Sequence, residues 1–342
     1  MTPSPDVLIV GAGIVGAACA YELAQAGARV EVIDQGIPGG GATAAGIGHL
    51  VVLDDDPLSR LSLELWHALA PALPKAAEFW NCGTLWIAAN DAEMEAARAK
   101  PGAELLDARQ LYQAEPHLRP GLAGGAVAKG DAVVYAPVVT RWLLEQARAK
   151  LTRAAVVSLD SIRAGAVVCA TGALTARLLP ALPIKPRKGH LAITDRYPGL
   201  VRHQLVELGY MASAHGESTE SVAFNVQPRP TGQLLIGSSR QYNVDTTAID
   251  PPILHRMLAR AFHLLPVLAD CNVIRTWTGF RASTPDKLPL IGRLRDNLYL
   301  ATGHEGLGVT TSLGTAKLLA AEVLGRPAPL PAAPYRPERF HA

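Results

Sequence analysis

The residues whose spacing could do chemistry lie near both ends of the chain. Gly11, Gly13 and Gly16 stand in the run Gly-Ala-Gly-Ile-Val-Gly, and Asp34 follows. Gly11 permits a tight turn, Gly13 lets a pyrophosphate approach the backbone, and Gly16 lets a helix pack closely on a sheet. A carboxylate at Asp34 can accept both hydroxyls of an adenosine ribose. Far along the chain, Gly303-His304-Glu305-Gly306-Leu307-Gly308 makes a second glycine turn. Arg281 lies between the two, and its guanidinium fork matches a carboxylate in two parallel hydrogen bonds. The chemistry implied is a dinucleotide gripped through its phosphates and ribose.

The elements that must position these groups are legible. Asp6-Val-Leu-Ile-Val is a short apolar run, the form of a strand buried on both faces. Ile14, Ala17, Ala18, Tyr21 and Leu23 recur near helical spacing, and Gly27 stops that helix. A second strand, Arg29 to Ile33, ends at Asp34. A helix N-terminus aimed at the phosphates offers unpaired N–H groups and partial positive charge. Asn297 to Ala301, the glycine turn and a helix from Val309 to Leu324 repeat the same device. Gly165 to Gly172 is another buried strand that ends in small residues, Ala170-Thr171-Gly172.

Composition narrows the class. The 342 residues suggest two domains or one large α/β body with an insertion. With 49% hydrophobic and 18% charged residues, a sizeable core is available. A net charge of +2 with interspersed signs gives no case for nucleic acid or an anionic membrane surface. Cys19, Cys82, Cys169 and Cys271 are far apart and form no CxxC pair, so neither a disulfide framework nor a metal site is expected. No apolar run approaches the roughly 20 residues that span a bilayer, and the N-terminus lacks the positive n-region of a signal peptide. A cytoplasmic protein is expected.

Between the two glycine turns the pattern is mixed. Gly36 to His49 is too rich in glycine for a regular element, and such a loop brings backbone close to a flat or phosphorylated ligand. Pro57 to Phe79 reads as helices, Cys82 to Ala89 as a strand, and Asp91 to Lys100 as a helix. Leu106 to Glu115 reads as a helix capped by Asp107. Pro116 to Gly130 reads as turns, Val133 to Tyr135 as a strand, and Pro137 to Lys150 as a helix. Pro183 to Arg187 reads as a linker. Gly189 to Thr194, Gln204 to Met211, Val222 to Val226 and Gln233 to Gly237 read as strands, with a hairpin turn at Thr231-Gly232. Pro251 to Leu268 reads as a helix, and the proline-rich tail from Arg326 as an extended surface arm.

Three stretches carry a family resemblance: Gly11-Ala-Gly-Ile-Val-Gly-Ala, Cys169-Ala-Thr-Gly, and Trp277-Thr-Gly-Phe-Arg-Ala-Ser-Thr-Pro-Asp-Lys-Leu-Pro-Leu-Ile-Gly292 followed by Ala301-Thr-Gly-His-Glu-Gly-Leu-Gly308. Over nearly its whole length the chain resembles flavoproteins of the D-amino acid oxidase family, which includes glycine oxidase and sarcosine oxidase. Gly303-His-Glu-Gly-Leu-Gly-Val-Thr-Thr-Ser and Lys188-Gly-His-Leu are most similar to bacterial D-hydroxyproline dehydrogenases. The resemblance implies an α/β fold in which a Rossmann-like FAD-binding domain (1–80, 132–184, 275–330) carries a β-rich substrate domain (81–131, 185–274). A proline-rich arm (331–342) follows.

It also implies roles for residues. Ile14, Val15, Asp34, Gln35, Ala42, Thr43, Gly46, Ile47 and Gly48 would line the ADP and ribityl parts of FAD. His304, Glu305, Gly306, Leu307, Gly308, Val309 and Thr310 would wrap its isoalloxazine end, where N–H groups at a helix start favour the charge of the reduced ring. Arg281 would clamp a substrate carboxylate; the alternative is a surface arginine paired with Asp286. Asn225 and Tyr210 are further substrate contacts, or else cross-strand and half-buried core residues. His49 and His190 either face the flavin or play a satisfied structural part. About sixteen residues separate Lys150 from Val167, where the family usually has more strands, so Val156 or Val157 is expected at the adenine. Gly306 replaces a second carboxylate-binding arginine of glycine oxidase. No cysteine occurs from Trp277 to Gly292, so the flavin is expected to be non-covalent.

The reaction implied is hydride transfer from the α-carbon of a D-amino or imino acid to flavin N5, giving an imine. The substrate would be a small amino or imino acid, D-hydroxyproline by the nearest resemblance, and the electron acceptor oxygen, a quinone or a partner subunit of a homo- or hetero-oligomer. Alternatives are a glycine- or sarcosine-type amine oxidase and a flavin-carrying subunit of a hetero-oligomeric dehydrogenase. An NAD-dependent hydroxy-acid dehydrogenase would leave the second glycine turn without a role.

Overall fold

A computed structural model describes residues 5–52, 56–98, 102–209 and 219–340. The strands of its first half are β1 (Val7–Val10), β2 (Val30–Asp34), β3 (His49–Leu50), β4 (Thr84–Ala88), β5 (Glu104–Asp107), β6 (Gly124–Ala128), β7 (Ala132–Val133) and β8 (Lys150–Arg153). Then come β9 (Ala166–Cys169), β10 (Lys185–Arg196), β11 (Gln204–Glu207), β12 (Glu220–Pro228), β13 (Gln233–Gln241), β14 (Val273–Ser283), β15 (Leu290–Arg295) and β16 (Leu298–Thr302). The helices are α1 (Ile14–Gln25), α2 (Gly41–Ala45), α3 (Pro57–Leu69), α4 (Asp91–Arg98), α5 (Ala108–Ala114), α6 (Ala136–Gln146), α7 (Thr175–Leu178), α8 (Pro251–Leu264) and α9 (Gly308–Val323).

Six strands form one sheet in the order β15-β16-β9-β1-β2-β8, parallel except for β15. The apolar run of β1 is buried on both faces. Val7 and Ile9 pack with α1, α3, α6 and α9 on one side, and Leu8 and Val10 pack with Val167, Leu182 and Leu300 on the other. Eight strands form the second sheet, β14-β10-β13-β12-β11-β4-β6-β5, antiparallel except between β11 and β4. α8 covers one face of it, burying Met257, Ala261 and Leu264 against Phe224, Val226 and Ile236. The chain is thus a mixed α/β structure with a parallel nucleotide-type sheet beside a larger, mostly antiparallel one.

The two sheets meet through directed bonds. Trp277 Nε1 donates to the Ala45 carbonyl at 3.2 Å, and Gln227 Nε2 to the Ile47 carbonyl at 2.7 Å. Arg187 pairs with Glu305 at 2.6 Å, and Arg229 with Glu78 at 2.6 Å.

Several expectations change. The glycine-rich segment after Asp34 contains the short helix α2, because its small residues coil without steric cost. Pro116 to Gly130 is not all turn: Gly124 to Ala128 pairs as β6 between β4 and β5. The helix expected to reach Lys150 ends at Gln146, and Lys150 starts β8. The expected linker at Pro183 to Arg187 already holds the first residues of β10. β14 belongs to the larger sheet through its long pairing with β10. The arm is not wholly superficial: Tyr335 is 2% exposed, and its hydroxyl donates to Asp56 at 2.8 Å.

Candidate active site

One cavity of about 1760 Å³ runs from the C-terminal ends of β1 and β2 to the larger sheet. At its first end the glycines are required by space. Gly11 has φ +114°, and a Cβ there would lie 2.4 Å from the Ala170 carbonyl oxygen. A Cβ on Gly16 would lie 2.0 Å from the Gly11 carbonyl oxygen, so α1 can rest on the turn only without one. Gly13, in extended conformation, lines the cavity. α1 has no capping side chain of its own at Gly13; instead the Ile14 N–H donates to Thr43 Oγ1 at 3.0 Å. Asp34 ties the walls together, with Oδ2 accepting from Ala12 N–H at 2.6 Å and Oδ1 from Gly36 N–H at 2.7 Å.

Gly11, Gly13, Ile14, Val15, Asp34, Gln35, Ala42, Thr43, Gly46, Ile47 and Gly48 all line this cavity, as do Ala170, Thr171, Gly172 and Val156. Gly16 does not, because its part is to seat α1. Of the two residues expected near the adenine, Val156 lines the cavity, whereas Val157 is 89% exposed and off the wall.

The second glycine turn closes on the first. Gly303, His304, Glu305, Gly306, Leu307, Gly308 and Val309 line the same cavity. A Cβ on Gly308 would touch Val15 Cγ2 at 3.7 Å. Glu305 holds the turn to the larger sheet through Arg187 and donates its N–H to the Ala282 carbonyl at 3.0 Å. Burial pushes the pKa of His304 down to about 3, and its Nε2 shares a hydrogen bond with Thr315 Oγ1 at 3.0 Å. Thr310 is off the wall: its hydroxyl donates to the His49 carbonyl at 3.0 Å and staples α9 to β3.

At the far end the wall turns polar. Arg281 on β14, Asn225 on β12 and His49 on β3 share it. Burial, with the positive charges of Arg281 and Arg240, lowers the pKa of His49 to about 4, against a hydrogen bond to the Gly306 backbone, so the ring is neutral at pH 7. Asp286 pairs with Arg339 at 2.7 Å, which removes the proposed alternative partner of Arg281. His190 does not face the cavity. It is fully buried, with Nδ1 against Ser239 Oγ at 2.9 Å and Nε2 accepting from Asp250 N–H at 3.0 Å, a structural histidine. Tyr210 lies outside the described residues.

Ser238, Arg240, Tyr242 and Lys287 are among the polar residues of this cavity that escaped the sequence reading. For Ser238 and Arg240 the reason is a change of face along β13. Leu234 and Ile236 point toward α8, whereas Ser238 and Arg240 line the cavity. The change coincides with register shifts against β12, between the pairs of Val222 and Asn225, and against β10, between those of Lys188 and Ala192. A one-residue slip moves side chains to the opposite face, so simple alternation could not find Arg240. Lys287 Nζ donates to the Tyr242 hydroxyl at 3.1 Å, and Arg187 stacks on that ring at 4.7 Å. Among the described residues no group of three or more His, Cys, Asp and Glu side chains is arranged to hold a metal ion.

The residues present suit FAD. A helix N-terminus and a glycine backbone open to the cavity fit a pyrophosphate, and Asp34 fits a ribose. A second helix start, α9, faces the same space at the other end. The family described as FAD dependent oxidoreductase (DAO) matches residues 6–322. The chain is 28% identical over 351 residues to the bifunctional protein ThiO/ThiG of Trichormus variabilis, covering 92% of this chain. It spans about half of that relative's length, 52%. It is also 28% identical to the glycine oxidase of Pseudomonas aeruginosa, covering 98% of this chain and 99% of that one. The crystal structure of glycine oxidase from Geobacillus kaustophilus superposes with a TM-score of 0.86 at 26% identity, over 98% of this chain and 99% of that one. Chain-long family match and cavity agree: this protein belongs to the FAD dependent oxidoreductase family.

Proposed function

We propose that the protein oxidises a D-amino or imino acid, with D-hydroxyproline as the preferred candidate, to the corresponding imine. The observation that carries this reading is the placement of Arg281 on the same cavity wall as the turn Gly303–Gly308. A guanidinium there clamps the substrate carboxylate and so orients the α-carbon. Bound non-covalently, FAD would supply the two-electron acceptor that the oxidation requires. Arg240 adds a second positive charge on the wall, and His49 is neutral beside it. Asn225, 5% exposed, presents an amide able to hold the substrate nitrogen or a ring hydroxyl. Little acid–base machinery is needed, because the amine lone pair assists as hydride leaves.

The proposed organisation is a nucleotide-binding body built on the six-stranded sheet and a substrate body built on the eight-stranded one. The choice of D-hydroxyproline rests on Gly303-His-Glu-Gly-Leu-Gly-Val-Thr-Thr-Ser and Lys188-Gly-His-Leu. A glycine- or sarcosine-type amine oxidation is the second reading, favoured by the glycine oxidases among the relatives. The acceptor that reoxidises the flavin is oxygen, a quinone or a partner subunit. Anaerobic titration of the yellow protein with D- and L-hydroxyproline, D-proline, glycine and sarcosine tests both readings. Bleaching by D-hydroxyproline at the lowest concentration supports the first, and preference for glycine or sarcosine supports the second. A flavin that no amino or imino acid bleaches refutes both and leaves a flavin-carrying subunit.

A further inference from the structure

We infer that Gly189 is a positioning residue for substrate binding, kept without a side chain so that the Arg281 guanidinium can lie flat on strand β10. Gly189 pairs with Gly279 in the β10–β14 ladder, two residues from the Arg187–Arg281 pair. A Cβ on Gly189 would lie 2.2 Å from Arg281 Nη1, 2.8 Å from Nη2 and 2.9 Å from Cζ. The backbone of Gly189 is not in the left-handed region, so no turn demands glycine there. Glycine inside a strand weakens it, and where conformation does not call for it, a close approach does. The approaching group here is the guanidinium.

Two further backbone segments hold the same side chain. A Cβ on Gly306 would lie 3.2 Å from both Cδ and Nε of Arg281, and Gly306 itself has φ +132°. Arg281 Nη1 donates to the Ser239 carbonyl at 3.1 Å, the peptide that leads into Arg240. The fork is therefore seated among β10, β13 and the turn before α9, none of which can rotate aside as a side chain would. The volume beside Gly306 is taken by the stem of Arg281, so one position excludes a side chain at the other.

This inference rests on the reading of Arg281 as the carboxylate clamp. An alanine at position 189 must displace Nη1 by about 1.2 Å, from 2.2 Å to the 3.4 Å of ordinary contact. Misplacement by roughly 1 Å costs about 100-fold in a positioned site. The probe is pyrrole-2-carboxylate, a planar acid that cannot be oxidised as an imino acid, with its dissociation constant read from the flavin spectrum of the holoenzyme. Four proteins are compared: wild type, Gly189→Ala, Arg281→Ala and the double variant. The expected result is at least tenfold weaker binding in Gly189→Ala, with FAD content unchanged, and no further loss when Gly189→Ala is added to Arg281→Ala. Equal loss in both backgrounds overturns the inference, as does unchanged binding in Gly189→Ala. If Arg281→Ala binds like wild type, the clamp fails and the inference with it; if only Gly189→Ala does, the slot alone fails. Should Gly189→Ala yield no folded flavoprotein, recovery in the double variant supports the slot, and no recovery overturns it.

Discussion

Removal of the Asp34 carboxylate separates the two tasks assigned to it. A carboxylate offers about four lone-pair sites. Two are used within the protein, by Ala12 N–H at 2.6 Å and Gly36 N–H at 2.7 Å. Asp34 lines the cavity, so the remaining two are left for the hydroxyls of an adenosine ribose under the proposed assignment. Hydrogen bonds to a charged group are worth roughly 1.5–3 kcal/mol each, so Asp34→Ala should weaken FAD by about 3–6 kcal/mol. That is on the order of 100- to 10,000-fold in dissociation constant. The two stranded N–H groups act differently, because they destabilise the protein with or without cofactor. The assay is paired: recovery of free-flavin fluorescence on dilution gives the dissociation constant, and thermal melting of the apoprotein gives the structural share. Asp34→Asn, which keeps one acceptor oxygen, should fall between. An FAD affinity within threefold of wild type, with a lowered apoprotein melting temperature, would show that Asp34 only ties the loops and would refute the ribose assignment.

Arg281→Ala should retain FAD but lose substrate capture by about 2–5 kcal/mol, the cost of removing one partner of a desolvated charge pair, or roughly 30- to 4000-fold in kcat/KM; unchanged steady-state kinetics rule the clamp out. Gly16→Ala places a Cβ 2.0 Å from the Gly11 carbonyl oxygen, so α1 must shift. Overpacking of about 1–3 kcal/mol or more and loss of bound flavin are expected from melting curves and absorbance, and full FAD occupancy with an unshifted melt contradicts this. His304 titrates at about 3 in the folded chain against an ordinary 6.5, so its contribution is complete above pH 6.5 and is lost as pH falls toward 3. The urea midpoint should therefore drop between pH 6.5 and 4, with His49 adding to the fall, and His304→Gln should flatten the slope by up to about 1.4 kcal/mol per pH unit. An identical pH slope in the variant removes His304 from the account.

The legible parts of the site were local ones. Strand, glycine turn, helix and acid follow one another within residues 6–34, and each is dictated by its own backbone and by neighbours a few positions away. The second turn at Gly303–Gly308 was legible for the same reason. The Asp107 cap was too: its side chain and that of Gln110 make the reciprocal bonds of a capping box. Strands of the larger sheet were harder. β6 is a glycine-bearing run that becomes a strand only because β4 and β5 flank it, and β14 only through its ladder with β10. The alternatives for His190, and the choice between Val156 and Val157, stayed open because residue type says nothing about which way a side chain points.

What the amino-acid order determined by itself is the cradle for a dinucleotide, since the absence of Cβ atoms at Gly11 and Gly16 is a covalent fact that acts over a single turn. What tertiary structure alone decided is the polar end of the cavity. Arg240 reaches the cavity by register slips against both neighbouring strands, and Arg281 is aimed by backbone from β10, β13 and the turn before α9. Those contacts join residues far apart in the chain, so their geometry exists only once both sheets have packed.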